Sequence, residues 1–217
     1  MKKIDFQQLG QKLSPYPVLI DSEEYFNSSV LISIAKIKEE YCFIFEKRAA
    51  EIRQGSEVSF PGGEVDKDTD KNHLETAIRE TVEELGISRD KIKVIGQLGI
   101  LMIPGVLVNA FIAEVGIQNL DEINFDKTEV EKVFAVPVSF FKENPPEVHY
   151  VRLEAHPFYI DDDGTKVELL PVEKLNLPPR YSKPWGKIKR KVYFYNYNGE
   201  IIWGLTAALV KKVVEMI

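Results

Sequence analysis

Two apolar runs, residues 29–37 and 41–47, are rich in β-branched and aromatic side chains and are separated by Lys38-Glu39-Glu40, a pattern that predicts a β-hairpin. Residues 91–101 and 107–115 form a second pair of apolar runs around Pro104-Gly105. Both are apolar enough to be central strands of a mixed sheet. Residues 129–134 lead to Val136-Pro137-Val138, where a short helix over 138–141 is expected. Residues 148–160 read as strand, ended by Asp161-Asp162-Asp163-Gly164. That run is read as a turn, because the rest of a calcium-loop ligand pattern is missing. Residues 171–188 carry Pro171, Pro178, Pro179 and Pro184 and predict an irregular flap. Residues 189–197 alternate as a strand, and Asn198-Gly199 turns the chain into 201–203. A closing helix over 206–217 puts Leu209, Val210, Val213 and Val214 inward. At the start, Ile4, Phe6, Leu9 and Leu13 fit one amphipathic helix that Pro15 and Pro17 would end.

The most regular helical stretch runs from about residue 72 to 85. Leu74, Ala77, Ile78, Thr81 and Leu85 recur at three- and four-residue steps and predict a core stripe. Glu80, Glu83 and Glu84 are expected together on the opposite side, and Gly86 suits the helix end. Carboxylates this close repel, by a few tenths of a kcal/mol per pair in water, and a divalent cation would remove that penalty. Glu-rich helix faces are ordinarily just solvated. Here Arg79 lies within helical reach of Glu75 and Glu83, and Gly62-Gly63 lies just upstream, where bare backbone offers a ligand its carbonyl or N–H groups. The overall expectation is an α/β protein, a mixed central sheet with a helix on each side.

Composition narrows the function. With 217 residues the chain suits one domain with extensions: a lead-in over 1–28 and a main domain over 29–217. A net charge of −6 argues against a nucleic-acid polymer as partner. The single cysteine, Cys42, sits in an apolar run and reads as core, so no internal disulfide is expected and a reducing compartment fits. Neither a signal peptide nor a membrane span is expected, which makes a cytoplasmic protein the expectation. His73, His149 and His156 show no ligand spacing.

The stretch from Gly63 through Arg79-Glu80-x-x-Glu83-Glu84-x-Gly86-Ile87 resembles the Nudix box. Thr81 stands where the family has an aliphatic residue. The loop from Gly63 to Arg79 is longer than the pattern, and Asp70 is the best match for its early acid. The resemblance implies a Nudix-type α/β/α sandwich and metal-dependent hydrolysis of a pyrophosphate bond in a nucleoside diphosphate derivative. It implies Mg²⁺ or Mn²⁺ held by Glu80, Glu83, Glu84 and the Gly63 carbonyl, with Arg79 orienting the carboxylates. The general base is then one of these glutamates or Glu129, which precedes the Val-Phe-x-Val-Pro segment.

Upstream, Arg48-x-x-x-Ile52-Arg53, Glu57 and Phe60-Pro61-Gly62-Gly63 resemble the extra signature of the coenzyme A pyrophosphatase branch. The segment is one residue short, lacks a histidine after Arg53, and has Ser56 in place of a glycine. Trp203-Gly204-Leu205-Thr206-Ala207 resembles the same branch. Arg48 and Arg53, with Gly62 and Gly63, are the implied substrate-binding residues, since arginine forks onto phosphate oxygens. A second basic run, Lys187, Lys189, Arg190 and Lys191, lies among Trp185, Tyr193, Phe194 and Tyr195. It could hold an adenine and a remote phosphate, or simply be a solvated strand edge. Three readings stay open: cleavage of coenzyme A or acyl-CoA to 3′,5′-ADP and a phosphopantetheine; cleavage of ADP-ribose or another nucleotide sugar; and a Nudix-like module that binds a nucleotide without hydrolysing it. Many members of the family pair, so a homodimer is compatible, through the flap or the lead-in.

Overall fold

The structure is a computed structural model that describes residues 6–16 and 18–217. Ile4 and Pro17, which the lead-in helix was expected to use, lie outside the described residues. Helix α1 (Phe6–Gln11) forms ahead of Pro15 and buries none of its residues, so its apolar stripe faces outward.

Strands β1 (Phe26–Ile37) and β2 (Glu40–Arg48) form the expected hairpin. Its turn residues Lys38 and Glu39 both take positive φ, 47° and 68°, the backbone that matches the twist of two tightly joined strands. Only residues 34–37 pair with 40–43. Beyond that the two strands part, and the segment carrying Phe60-Pro61 enters the gap. Strand β3 (Val58–Ser59) pairs with β2, and β4 (Gly62–Glu64) pairs with β1. Helix α2 (His73–Leu85) follows, then β5 (Ile92–Ile103) and β6 (Val106–Val115). Strand β6 runs parallel to β1, and β7 (Val130–Pro137) covers the far edge of β2 antiparallel. The sheet is therefore mixed, in the order β7-β2-β1-β6-β5 with β3 and β4 wedged between β2 and β1.

Strand β5 corrects one expectation: it is the edge of this sheet, and Ile95, Ile100 and Met102 are exposed on it. Apolar content alone does not separate a central strand from an edge strand, because only the number of neighbouring strands differs.

Both faces of the sheet are covered. On β1 and β2 successive side chains point to opposite faces. Ile32, Phe43 and Phe45 pack with Val136, Phe141, Ala207 and Val210 on one face. Leu31, Ala35 and Ile44 face α2, whose Ala77 and Leu85 pack against them. The first face is closed by α3 (Val138–Glu143) and α4 (Gly204–Val214). Gly204, at φ 64°, makes the tight step from strand to helix. This is the α/β/α sandwich anticipated from the pattern.

A second sheet holds β8 (Glu147–Ala155), β11 (Trp185–Tyr197) and β12 (Glu200–Trp203), all antiparallel. Between β8 and β11 lie a hairpin of β9 (Phe158–Ile160) and β10 (Lys166–Glu168) and the irregular proline-rich segment. The 148–160 run is thus two strands, interrupted at His156-Pro157, where proline removes a ladder donor. Asp161 accepts hydrogen bonds from the amides of Asp163 and Thr165, so the aspartate run is a turn. Among the described residues no helix is long and apolar enough to cross a membrane.

Candidate active site

The parted hairpin decides where the glycines sit. Phe60 is buried and stacks on Phe45 with ring centroids 4.8 Å apart, which anchors the segment between β2 and β1. Gly62 and Gly63 then pair with Val30 and Ser29 on β1. Helix α2 lies across this point. Asn72 caps its start by accepting from the amides of Leu74 and Glu75, and Gly86 ends it at φ 63°.

From α2 the glutamates reach different partners. Glu80 lies against Gly63 so closely that a Cβ there would fall 2.4 Å from Glu80 Oε1. Glu84 Oε2 accepts from the Gly62 amide at 2.9 Å. Glu83 is 57% exposed on the outer flank. The expectation that all three share the surface opposite the core is corrected for Glu84, which is buried. Seven residues separate it from Ala77, nearly two turns at ~3.6 residues per turn, so it points almost the same way as that core alanine.

Arg79 is the hub of the outer flank. Its Nε and Nη2 donate to the two oxygens of Asp70, each at 3.0 Å, and its Nη1 lies 2.8 Å from Glu80 Oε1 and 2.9 Å from Glu83 Oε2. Asp70 also accepts from Thr76 Oγ1 and the Asp66 amide. The Arg79 guanidinium beside it holds the Asp70 carboxyl down at about 2. Asp70 is thus the acid that pairs with Arg79, at the end of a lengthened loop. Glu75 does not pair with Arg79; it pairs with Arg89 at 2.8 Å.

The inner flank contains a residue that the sequence reading passed over. Glu46 on β2 is fully buried, accepts from Ser59 Oγ at 3.0 Å, and shares Arg48 with Glu84. Arg48 Nη1 lies 3.5 Å from Glu46 Oε1 and 3.4 Å from Glu84 Oε1. Burial pushes the carboxyls of Glu46, Glu80 and Glu84 up, and the neighbouring Glu46 raises Glu84 further. The signal was present: Glu46 ends the run Tyr41-Cys42-Phe43-Ile44-Phe45 at a position sharing the inward face of Ile44, where an acid must find a partner. Glu129 is exposed; its backbone carbonyl accepts from the Ala49 amide at 2.8 Å, just past the end of β2, and its charge adds a minor upward push on Glu46 and Glu80.

Arg48 is therefore placed among carboxylates. Arg53 is exposed, with its guanidinium 5.2 Å from the centre of the Phe26 ring. The basic residues Lys187, Lys189, Arg190 and Lys191 belong to β11 of the second sheet.

Among the described residues, no three carboxylate, imidazole or thiolate side chains converge as a ready metal cage. The carboxylates contact guanidinium groups, Arg79 on the outer flank and Arg48 on the inner one. The donors nevertheless suit a hard divalent ion. They are all oxygens, Gly63 lacks a side chain where Glu80 sits, and Glu46 Oε2 is buried with no hydrogen-bond partner.

Comparison with known proteins supplies an independent line. Residues 27–191 match the family model described as NUDIX domain. The chain is 28% identical over 214 residues to the uncharacterized Nudix hydrolase NudL of Photorhabdus laumondii, covering 98% of this chain and 96% of that one. It is 29% identical over 131 residues to the human mitochondrial coenzyme A diphosphatase NUDT8, covering 58% of this chain and 55% of that one. It is 32% identical over 127 residues to the mouse peroxisomal coenzyme A diphosphatase NUDT7, covering 56% and 50%.

Proposed function

The chain belongs to the Nudix family of pyrophosphohydrolases, and from that premise we propose that it cleaves coenzyme A or an acyl-CoA to 3′,5′-ADP and the corresponding phosphopantetheine. Support for the substrate comes from the similarity to two coenzyme A diphosphatases and from the Arg48 to Gly63 segment. Support for the chemistry comes from one arrangement: Glu80 seated against Gly63 and held by an Arg79 that Asp70 itself fixes.

Nudix hydrolases generally depend on a divalent metal. In this chain Glu80, Glu83, Glu84 and the Gly63 carbonyl would hold it, as Mg²⁺ or Mn²⁺. When bound, such an ion neutralises charge on the pyrophosphate oxygens and lowers the pKa of water. The protein's own groups do the rest. Asp70 locks the Arg79 guanidinium in a two-pronged contact, and Arg79 orients Glu80 and Glu83. The Gly62 amide fixes one oxygen of Glu84. Glu129, exposed beside the cluster, is the candidate base: its carboxylate takes the proton of the attacking water as the new P–O bond forms and the bridging P–O bond breaks. Arg48 and Arg53 remain the proposed substrate contacts. The Arg48 guanidinium also lies between Glu84 and Glu46.

A substrate panel with Mg²⁺, read by release of 3′,5′-ADP or AMP, tests the proposal. Coenzyme A should give 3′,5′-ADP. AMP from ADP-ribose with coenzyme A untouched overturns the substrate, and a saturable thermal shift without turnover of any member supports a binding module instead. Glu83→Gln and Glu84→Gln should each lose most turnover at saturating Mg²⁺. Near wild-type rates in both variants would remove these residues from the metal site.

A further inference from the structure

Strand β2 delivers one acid to the face on which α2 lies. Cys42, Ile44 and Glu46 share that face by strand alternation, and Ile44 packs with Leu85 of α2. Ser59 is directly opposite Glu46 in the β2–β3 pairing and gives its hydroxyl to Oε1. Oε2 has no N–H or hydroxyl donor inside a residue that is 0% exposed, and the Glu84 carboxyl lies within hydrogen-bond reach of the Glu46 carboxyl. An orphaned carboxylate oxygen at such depth is costly, and in native proteins such a group ordinarily has an identifiable purpose.

The charges around it do not balance. Glu46 and Glu84 are both buried, and the Arg48 guanidinium that serves them does so at 3.4–3.5 Å through a single nitrogen. Charge-assisted contacts normally close to ~2.7–2.9 Å, so this arginine does not fully satisfy either acid. Arg79, the other guanidinium nearby, is taken by Asp70, Glu80 and Glu83. The Gly62 amide satisfies one oxygen of Glu84 and reaches no part of Glu46. What the inner flank lacks is positive charge, next to a free oxygen on Glu46 and opposite a helix already bearing the proposed ligands.

We propose that Glu46 is a further carboxylate of the divalent-cation site, acting on the same ion as Glu84 from the strand side. This rests on the metal-site reading given above and extends it from one helix to two elements. Ser59 then acts as the positioning residue that holds Glu46 in its rotamer, as outer hydrogen bonds commonly do for metal ligands. A hard ion with oxygen ligands fits this set, which contains no sulfur or imidazole.

The experiment is Mn²⁺ binding to metal-free protein, followed by the electron paramagnetic resonance signal of free Mn²⁺ and by thermal unfolding with and without Mn²⁺. Glu46→Gln keeps the shape and removes the charge. Its Mn²⁺ affinity should fall by roughly 10- to 100-fold, and the Mn²⁺-induced rise in Tm should shrink. In EDTA its Tm should match or exceed that of wild type, since one of two repelling buried carboxylates is gone. A merely structural Glu46 would give the reverse, a lower Tm in EDTA and unchanged affinity, and that result overturns the proposal.

Glu80→Gln serves as the reference. If it weakens Mn²⁺ binding while Glu46→Gln binds like wild type, only the present inference fails. If wild type itself binds no Mn²⁺, the metal-site reading fails with it. Should Glu46→Gln not fold, Ser59→Ala and Glu46→Asp replace it, each expected to weaken Mn²⁺ binding several-fold. Unchanged affinity in both overturns the proposal.

Discussion

Replacing Gly63 by alanine tests whether the close seat of Glu80 on the β4 backbone matters to the chemistry. The added Cβ would lie 2.4 Å from Glu80 Oε1, 2.5 Å from Cδ and 2.8 Å from Oε2, where ordinary contact begins at 3.4 Å. The carboxylate must therefore withdraw by about 1 Å, and a misplacement of that size at a catalytic group costs on the order of 100-fold in rate. The fold should tolerate the change, because the atoms that give way are the tip of a flexible side chain. Gly62→Ala is the control: its Cβ would meet Ser29 O at 2.4 Å and Val30 Cα at 2.8 Å. Those are backbone atoms of a central strand and cannot retreat, so overpacking there should remove roughly 1–3 kcal/mol of stability. Steady-state hydrolysis with Mg²⁺, run beside thermal unfolding, separates the two. Gly63→Ala should keep its Tm within about 3 °C of wild type while kcat falls roughly 10- to 100-fold. A Gly63→Ala enzyme with more than half the wild-type kcat would refute the reasoning. So would one that unfolds as early as Gly62→Ala.

Asp70→Asn should lower kcat by freeing Arg79, and it should also change the acid limb of stability. The Asp70 carboxyl is held at about 2 against an ordinary 3.8. Its contribution is therefore complete above about pH 4 and disappears as pH falls toward about 2. With Arg79 partly exposed, that contribution is about 1–2 kcal/mol after solvent screening, so urea titrations of wild type and Asp70→Asn should differ at pH 7 and converge near pH 2. Gly86→Ala should destabilise by more than about 1 kcal/mol in the same titrations, because Gly86 sits at φ 63° and a Cβ there would lie 2.1 Å from Asn124 O. Stripping divalent ions with EDTA should abolish hydrolysis and Mn²⁺ should restore it; activity persisting in EDTA would remove the metal from the mechanism.

Several parts of this picture were legible in the chain. The hairpin of β1 and β2, the glycine-ended helix α2, the Asn198-Gly199 turn and the closing helix each carry a local signal. Local signals survive because hydrogen-bond geometry and side-chain periodicity act over a few residues. The box residues Arg79, Glu80, Glu83 and Glu84 were legible for the same reason, as neighbours on one helix. Asp70 was legible only as a best match, and its two-pronged contact with Arg79 appears once the loop from Gly63 is folded back on α2.

The rest needed the tertiary structure. Nothing local distinguishes β5 from β6 in apolar content, yet one is an edge and the other is central, because that depends on which strands lie alongside. Helix periodicity puts Glu84 on the side of Ala77, but nothing in it says that strand β2 brings Glu46 and Arg48 to meet it there, from 38 and 36 residues away. By itself the sequence determined most of the elements, the family and the helix-borne carboxylates, since each rests on interactions between close neighbours. Only the fold decided which charges share a buried space, because burial and distance between remote residues are what shift a carboxyl and orphan an oxygen.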